Sequence, residues 1–294
     1  MIEISLLGST KVEVDGVLIP ESSLGGRLRQ VLEILALNAG KSVPKEVLAD
    51  YIWEGTPPAT YVGTLESYVC VLRKRLGLVG GRRSALSTRD RGYVLEGDDV
   101  RVDLDLFRAL SCPATSGTER VRRALEALDV VRGPLLASEP YAAWAAAARE
   151  IFDRELAETL APVAGLANQL GEHDAARRLA RHVIDRESYC EAGWQHLIRA
   201  HWLSGERGEA LRTYSALREV LLDGLGEEPS AGSQELYLQI LRCQDDNRRV
   251  AQSQELDLLL RLLRQALESV PGVRVPSQDA KLATTAVRVL AQTA

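Results

Sequence analysis

The stretch YVGTLESYVCVLRKRLG, residues 61–77, decides how the first third of the chain folds. Its apolar residues Val62, Leu65, Val69, Leu72 and Leu76 recur at spacings of 3, 4, 3 and 4, the period of an α-helix with one buried face. At 100° per residue the stripe covers about 80° of the circumference. The opposite face gathers Thr60, Gly63, Thr64, Ser67, Cys70, Val71 and Lys74, and the helix ends on Arg73, Lys74 and Arg75. Small residues let a helix approach base edges, hydroxyls hydrogen-bond bases or phosphates, and a valine suits a thymine methyl. A face of this kind fits a major groove.

Upstream, Ile2, Ile4, Leu6 and then Val12, Val14 alternate around the turn signals Ser9-Thr10 and Asp15-Gly16, which predicts short antiparallel strands. From Arg27 the period becomes helical through Leu28, Val31, Leu32 and Leu35, and Gly40 supplies a left-handed stop. Pro44 fits the first turn of a second helix, with Val47, Leu48, Tyr51 and Ile52 buried. Downstream of residue 77, Gly80-Gly81 and Arg82-Arg83 lead into two strand signals, Ala85–Arg89 and Tyr93–Leu95, parted by Asp90-Arg91-Gly92, a basic hairpin. Charge follows the same division. Residues 60–95 carry seven bases against two acids, a local net of +5, whereas residues 101–294 hold 24 bases and 28 acids. The overall charge of −5 therefore hides one compact basic patch.

Strands, three helices and a terminal hairpin form a winged helix. The chain resembles the OmpR-type DNA-binding domain and, more closely, the antibiotic regulatory proteins of streptomycetes. The residues that carry the likeness are Leu6-Leu7-Gly8, Gly25-Gly26-Arg27-Leu28-Arg29-Gln30, Asn38-Ala39-Gly40, Ile52-Trp53 with Pro57-Pro58, Leu65-Glu66-Ser67-Tyr68-Val69, Leu72-Arg73-Lys74-Arg75-Leu76-Gly77 and Arg91-Gly92-Tyr93-Val94-Leu95. Gly63 and Asp90 depart from the family pattern, which places an Asn at the first and a more basic or neutral residue at the second. The resemblance implies that the third helix enters the major groove while the wing touches backbone or the adjacent minor groove. On that footing Thr64, Ser67, Val71 and Lys74 face bases, and Arg27, Arg29, Arg73, Arg75, Arg89 and Arg91 face phosphates.

From residue 101 onward the strong patterns are helical, and they repeat. Leu160, Val163, Gly171, Ala176, Ala180 and Val183 recur 34 residues later as Trp194, Leu197, Gly205, Ala210, Tyr214 and Leu217, at the tetratricopeptide period. Pro162 is expected to kink its helix or mark a boundary. With Arg132-Gly133-Pro134, Glu139-Pro140 and Leu225-Gly226-Glu227-Glu228-Pro229-Ser230, the segment resembles the bacterial transcriptional activator domain of the same regulators. Residues 244–255 read as a linker, Leu256–Val270 as a short leucine-rich helix, and Asp279–Ala294 as a weak final one.

Other classes find little support in the residues. The N-terminus has no basic region ahead of an apolar core, and no run of about 18 uncharged apolar residues occurs, so a soluble cytoplasmic protein without membrane contact is expected. Cys70, Cys112, Cys190 and Cys243 contain no Cys-x-x-Cys and read as reduced thiols. His196 and His201 are five apart and diverge by about 140° on a helix, unsuited to one metal. Cys190 and His196 lack an oxyanion turn, and no P-loop sequence occurs. Neither metal, cofactor nor catalytic group is expected.

The expected fold is mainly α: an OmpR-type winged helix with small β-sheets at 1–100, an all-α tetratricopeptide-like activator domain at 101–243, and a linker with short helices at 244–294. Each half has its own apolar periodicity, so residues 1–100 are expected to fold alone. The expected function is sequence-specific transcriptional activation of a specialised-metabolite (antibiotic) gene set. The family likeness implies double-stranded promoter DNA with direct repeats, RNA polymerase holoenzyme, and a homodimer or tandem protomers as partners. The alternative is a tetratricopeptide-type scaffold whose winged helix binds protein, against which the basic patch and the small-residue face weigh.

Overall fold

The computed structural model describes residues 1–78, 85–112 and 116–243, together with Leu258, Leu262 and Gln265. Strands β1 (Ile2–Ser5) and β2 (Lys11–Val14) pair antiparallel with Ile2 opposite Val14, so Ile2, Ile4 and Val12 share the buried face. β3 (Val17–Leu18) returns along β2 through Asp15 and Gly16, whose φ of 49° and 79° give the mirror-image turn that suits a twisted hairpin. The fourth strand of this sheet comes from far along the chain. β7 (Val100–Val102) lies parallel to β1, with Ile4 beside Val102, and the order is β3-β2-β1-β7.

The three expected helices are α1 (Arg27–Leu37), α2 (Lys45–Ile52) and α3 (Tyr61–Arg75). Gly40, at φ 78°, closes the turn after α1 and donates its N–H to the Leu95 carbonyl at 2.9 Å. Pro44 stands just before α2 rather than inside its first turn, as the last residue of β4 (Val43–Pro44), with an extended ψ of 147°. β4, β5 (Leu86–Arg89) and β6 (Gly92–Leu95) make the second sheet, ordered β4-β6-β5. Gly92 is obligatory there, because a Cβ would lie 2.3 Å from the Val43 carbonyl oxygen.

The helical half comprises α4 (Asp103–Ser111), α5 (Gly117–Val130), α6 (Ala143–Gln169), α7 (His173–Arg186), α8 (Glu191–Leu203) and α9 (Arg207–Leu225). Successive helices from α6 to α9 pack on one another. Gly171 and Gly205 occupy the α6–α7 and α8–α9 turns at φ 79° and 80°. On α7 the repeat positions Ala176, Ala180 and Val183, and on α9 Ala210 and Leu217, are wholly buried. α6 runs unbroken across Pro162, so the expected boundary does not fall there. Leu160, Ala161, Val163 and Ala164 around it are all buried, and α6 packs against α7 and α8; that packing offsets the hydrogen bond the proline removes.

The two halves are sewn together. The chain after β1 runs beside residues 132–137: Leu6 accepts from the Leu136 N–H at 2.7 Å, Leu7 from Arg132 at 3.2 Å, and Gly8 donates to Pro134 at 3.0 Å. Gly8, at φ 120°, and Gly133 permit this crossing, since a Cβ on Gly133 would sit 3.0 Å from the Gly8 Cα. The Asp103 carboxylate accepts from the N–H groups of Leu6 and Leu7 at 2.7 and 3.0 Å. Residues Met1–Pro229 accordingly form one compact unit, and a second begins at Ser230. In the second, residues 231–243 are helical with Ser233, Leu236 and Ile240 buried. The linker and C-terminal helices expected beyond 243 lie outside the described residues, apart from Leu258, Leu262 and Gln265, which are helical and exposed. Arg82 and Arg83 lie outside them too. Among the described residues no helix is long and apolar enough to cross a membrane, and no group of three His, Cys, Asp or Glu residues suited to a metal occurs.

Candidate nucleic-acid interface

Leu65, Val69 and Leu72 of α3, and Leu76 just beyond it, are fully buried against α1 and α2, as the periodicity predicts. Val62, the first residue of the expected stripe, is 38% exposed, because the opening turn of α3 stands clear of that cover. On the opposite side Gly63, Ser67, Cys70, Val71, Lys74 and Arg75 are exposed, and Thr64 is half-buried. A Cβ at Gly63 would meet nothing within 4 Å, so the helix offers its backbone directly to whatever approaches. Ser67 donates its hydroxyl to the Gly63 carbonyl at 2.9 Å and Thr64 to Thr60 at 3.2 Å. Both oxygens keep lone pairs for an external donor. Arg73, Lys74 and Arg75 crowd the last turn, where the helix dipole favours cations.

The cationic residues divide by what already holds them. Arg91, at the tip of the wing, is exposed and takes φ 62°, while Asp90 beside it takes 52°. Arg27 opens α1 exposed, its guanidinium 5.2 Å over the half-buried Trp53 ring. Arg89 pairs with Glu96 at 2.7 Å within the wing. Arg73 reaches sideways: its Nε donates to the Leu86 carbonyl at 2.9 Å and its Nη2 to Thr88 at 3.2 Å, so it bolts α3 to β5. Arg29 lies furthest from the phosphate role given to it. Its Nη2 holds Glu139 at 2.5 Å and its Nε lies 3.5 Å from Glu33, which commits the side chain to the seam. Glu139 is 110 residues away in sequence, so nothing local could have signalled that pairing.

A second clip was also illegible. Lys45 of α2 donates to Glu66 of α3 at 2.8 Å and lies 5.5 Å over the Tyr93 ring of β6, joining three elements behind the exposed face. Burial pushes the Tyr93 hydroxyl above its ordinary range, which keeps it neutral. The exposed α3 face and its basic last turn are thus tied to the wing through Arg73 and Lys45.

Comparison with known proteins agrees with this architecture. Residues 21–95 match the family described as Transcriptional regulatory protein, C terminal, and residues 102–241 match Bacterial transcriptional activator domain. The transcriptional regulatory protein EmbR of Mycobacterium tuberculosis is 30% identical over 257 residues, covering 83% of this chain and 64% of EmbR. The transcriptional regulator RedD of Streptomyces coelicolor is 30% identical over 259 residues, covering 82% of this chain and 70% of RedD. The solved structure of EmbR in complex with a low affinity phosphopeptide superposes with a TM-score of 0.70 at 25% identity, over 99% of this chain and 70% of that one. The chain thus spans less than two thirds of the full length of the curated EmbR.

Proposed function

The chain belongs to the streptomycete antibiotic regulatory protein family and is a transcriptional regulator, not an enzyme; from that premise we propose that it binds promoter DNA through α3 and the β5–β6 wing and activates transcription there. The observation that carries the proposal is the α3 surface, with Gly63, Ser67, Val71 and Lys74 exposed opposite a buried stripe and beside the exposed cations Arg75 and Arg91. Ser67, Val71, Lys74 and the half-buried Thr64 read bases. Arg27, Arg75, Arg89 and Arg91 hold phosphates. Arg73 acts by keeping the wing against α3. Residues 1–100 do the reading, and residues 101–243 supply the surface that recruits RNA polymerase holoenzyme and spaces tandem protomers on direct repeats. The controlled genes are a specialised-metabolite set, in the cytoplasm.

Gel-shift titration of the full chain on its own promoter DNA and on random duplex tests the reading. Affinity falls steeply with salt, as phosphate contacts release counterions. Arg91→Ala weakens both DNAs alike, whereas Lys74→Ala, which removes one side chain from the base edges, narrows the gap between them by about 1–3 kcal/mol. Binding that is flat in salt, or two variants that behave identically, removes the proposal. In vitro transcription with purified polymerase on one-repeat and two-repeat templates then separates occupancy from activation.

A further inference from the structure

A recess of about 570 Å³ lies between the β1–β7 edge of the four-stranded sheet and helices α4 and α5. Sites for small organic ligands hold roughly 300–1,000 Å³. Its accessible apolar wall is Leu106 of α4, which is 50% exposed, with the half-buried Val100 and Val130. Four charged residues stand on its rim. Glu3 and Arg101 lie opposite each other in the β1–β7 register, Asp105 is on α4, and Arg132 follows α5. None of the four makes a side-chain hydrogen bond or ion pair among the described residues, while Arg132 acts at longer range on Asp103 and Asp105 on Arg108. The two further carboxylates that line it are already committed, Asp129 to Arg178 at 3.0 Å and Asp103 to the N–H groups of Leu6 and Leu7.

We propose that this recess binds a small amphoteric organic molecule, an apolar body bearing both an amine and an acidic group. A purely anionic ligand would meet Glu3 and Asp105, and a purely cationic one Arg101 and Arg132, so only a ligand of both signs gains from the rim without repulsion. The walls come from both sides of the seam, with β1 from the DNA-reading half and α4, α5 and Arg132 from the helical half. An occupant therefore touches both halves at once, beside the strand pairing that joins them.

The probe is Nε-dansyl-lysine, a naphthalene body with free α-amino and α-carboxylate groups whose emission rises in apolar surroundings. Titrated into the full chain, it binds saturably at one site. Ala109→Trp, which fills the recess from α4, abolishes the signal. Arg101→Gln and Asp105→Asn, exposed positions where folding is not at stake, each weaken binding about fivefold, the effect of one partly exposed charge pair. Dansylamide, which has neither charge, binds more weakly than the amphoteric probe. Circular dichroism of Ala109→Trp shows whether it is folded, and the two charge variants carry the test if it is not. The proposal is overturned if dansyl-lysine does not bind, if dansylamide binds equally well, if both charge variants bind as the parent does, or if binding survives a folded Ala109→Trp and disappears instead in Ala192→Trp, which fills the separate groove along α6 and α8.

Discussion

Glu33 of α1 has no solvent-exposed side-chain surface, yet only one of its carboxyl oxygens is satisfied: Oε1 accepts from the Thr10 hydroxyl at 2.6 Å and lies 3.5 Å from Arg29, while Oε2 has no partner. Burial pushes this carboxyl above its ordinary range, and Glu139 nearby pushes the same way, against the pull of Thr10, Arg29 and Arg149. A carboxyl raised in the folded state binds its proton more tightly there than in the unfolded chain. Its contribution is therefore most favourable below the unfolded value of about 4.3 and is lost as pH rises through the folded value. Glu33→Gln mimics the protonated form, so it is expected to raise the melting temperature at neutral pH and to flatten the pH dependence above about pH 4.3. Thermal melts across pH check this; a variant less stable throughout would mean that the pair with Arg29 outweighs burial. Gly165 offers a residue-scale test in the helical half. A Cβ there would lie 2.7 Å from the His196 ring, so Gly165→Ala is expected to cost about 1–3 kcal/mol by overpacking, read by denaturant unfolding.

At the scale of elements, α3 and the wing act as one piece because Arg73 spans them. Arg73→Ala is expected to lower stability by about 1 kcal/mol and to weaken DNA binding, and Arg73→Lys is not expected to restore either, since a compact ammonium does not reproduce the two separated donors, Nε and Nη2, that the planar guanidinium holds on the Leu86 carbonyl and Thr88. Arg91 gives the contrasting result. Its φ of 62° is costly for a residue with a Cβ, so Arg91→Gly is expected to gain up to about 1 kcal/mol in a melt while losing affinity for all DNA in a gel shift. The periodicity reads α3 correctly because Leu65, Val69 and Leu72 report a local helix meeting a flat core. The family likeness gives Arg73 a phosphate role, whereas its guanidinium here holds the Leu86 carbonyl and the Thr88 hydroxyl, partners on β5 that no spacing within α3 could signal. In the repeat, His182 and His196 are both held below the ordinary histidine range by burial, with His182 Nε2 and His196 Nδ1 unpartnered. Depressed bases stabilise the neutral form, so α7 and α8 are expected to lose protection against hydrogen exchange as pH falls below about 6.5, opposite in sign to Glu33.

For the whole molecule the seam is decisive. Arg149 of α6 donates to the carbonyls of Leu135 and Pro140 at 3.0 and 3.3 Å, fixing the segment whose Glu139 holds Arg29 and, at 3.1 Å, Gln30 of α1. A continuous set of bonds thus runs from the helical half to the winged-helix half. Residues 1–229 are expected to unfold in a single calorimetric transition, with equal calorimetric and van't Hoff enthalpies, and residues 1–100 alone to be markedly less stable than the full chain. A fragment ending at residue 100 loses nearly all of β7 and the Asp103 bonds that satisfy Leu6 and Leu7. Two resolved transitions would show that the seam is too weak to couple the halves.

What the sequence by itself determined is whatever short-range periodicity can encode: three helices and a hairpin before residue 95, a 34-residue helical repeat after residue 159, and a small-residue face on α3 flanked by bases. Each depends on neighbours within a turn or a strand, or on a pattern copied at fixed spacing. Only the tertiary structure decided that β7 returns to lie beside β1, that Leu6-Leu7-Gly8 and Arg132-Gly133-Pro134 are two sides of one crossing, and that Arg29 belongs to Glu139. The physical reason is that a backbone N–H, a carbonyl or a guanidinium carries the same signal whichever partner it finds. Partners some 100 residues apart are selected by the geometry of the packed whole.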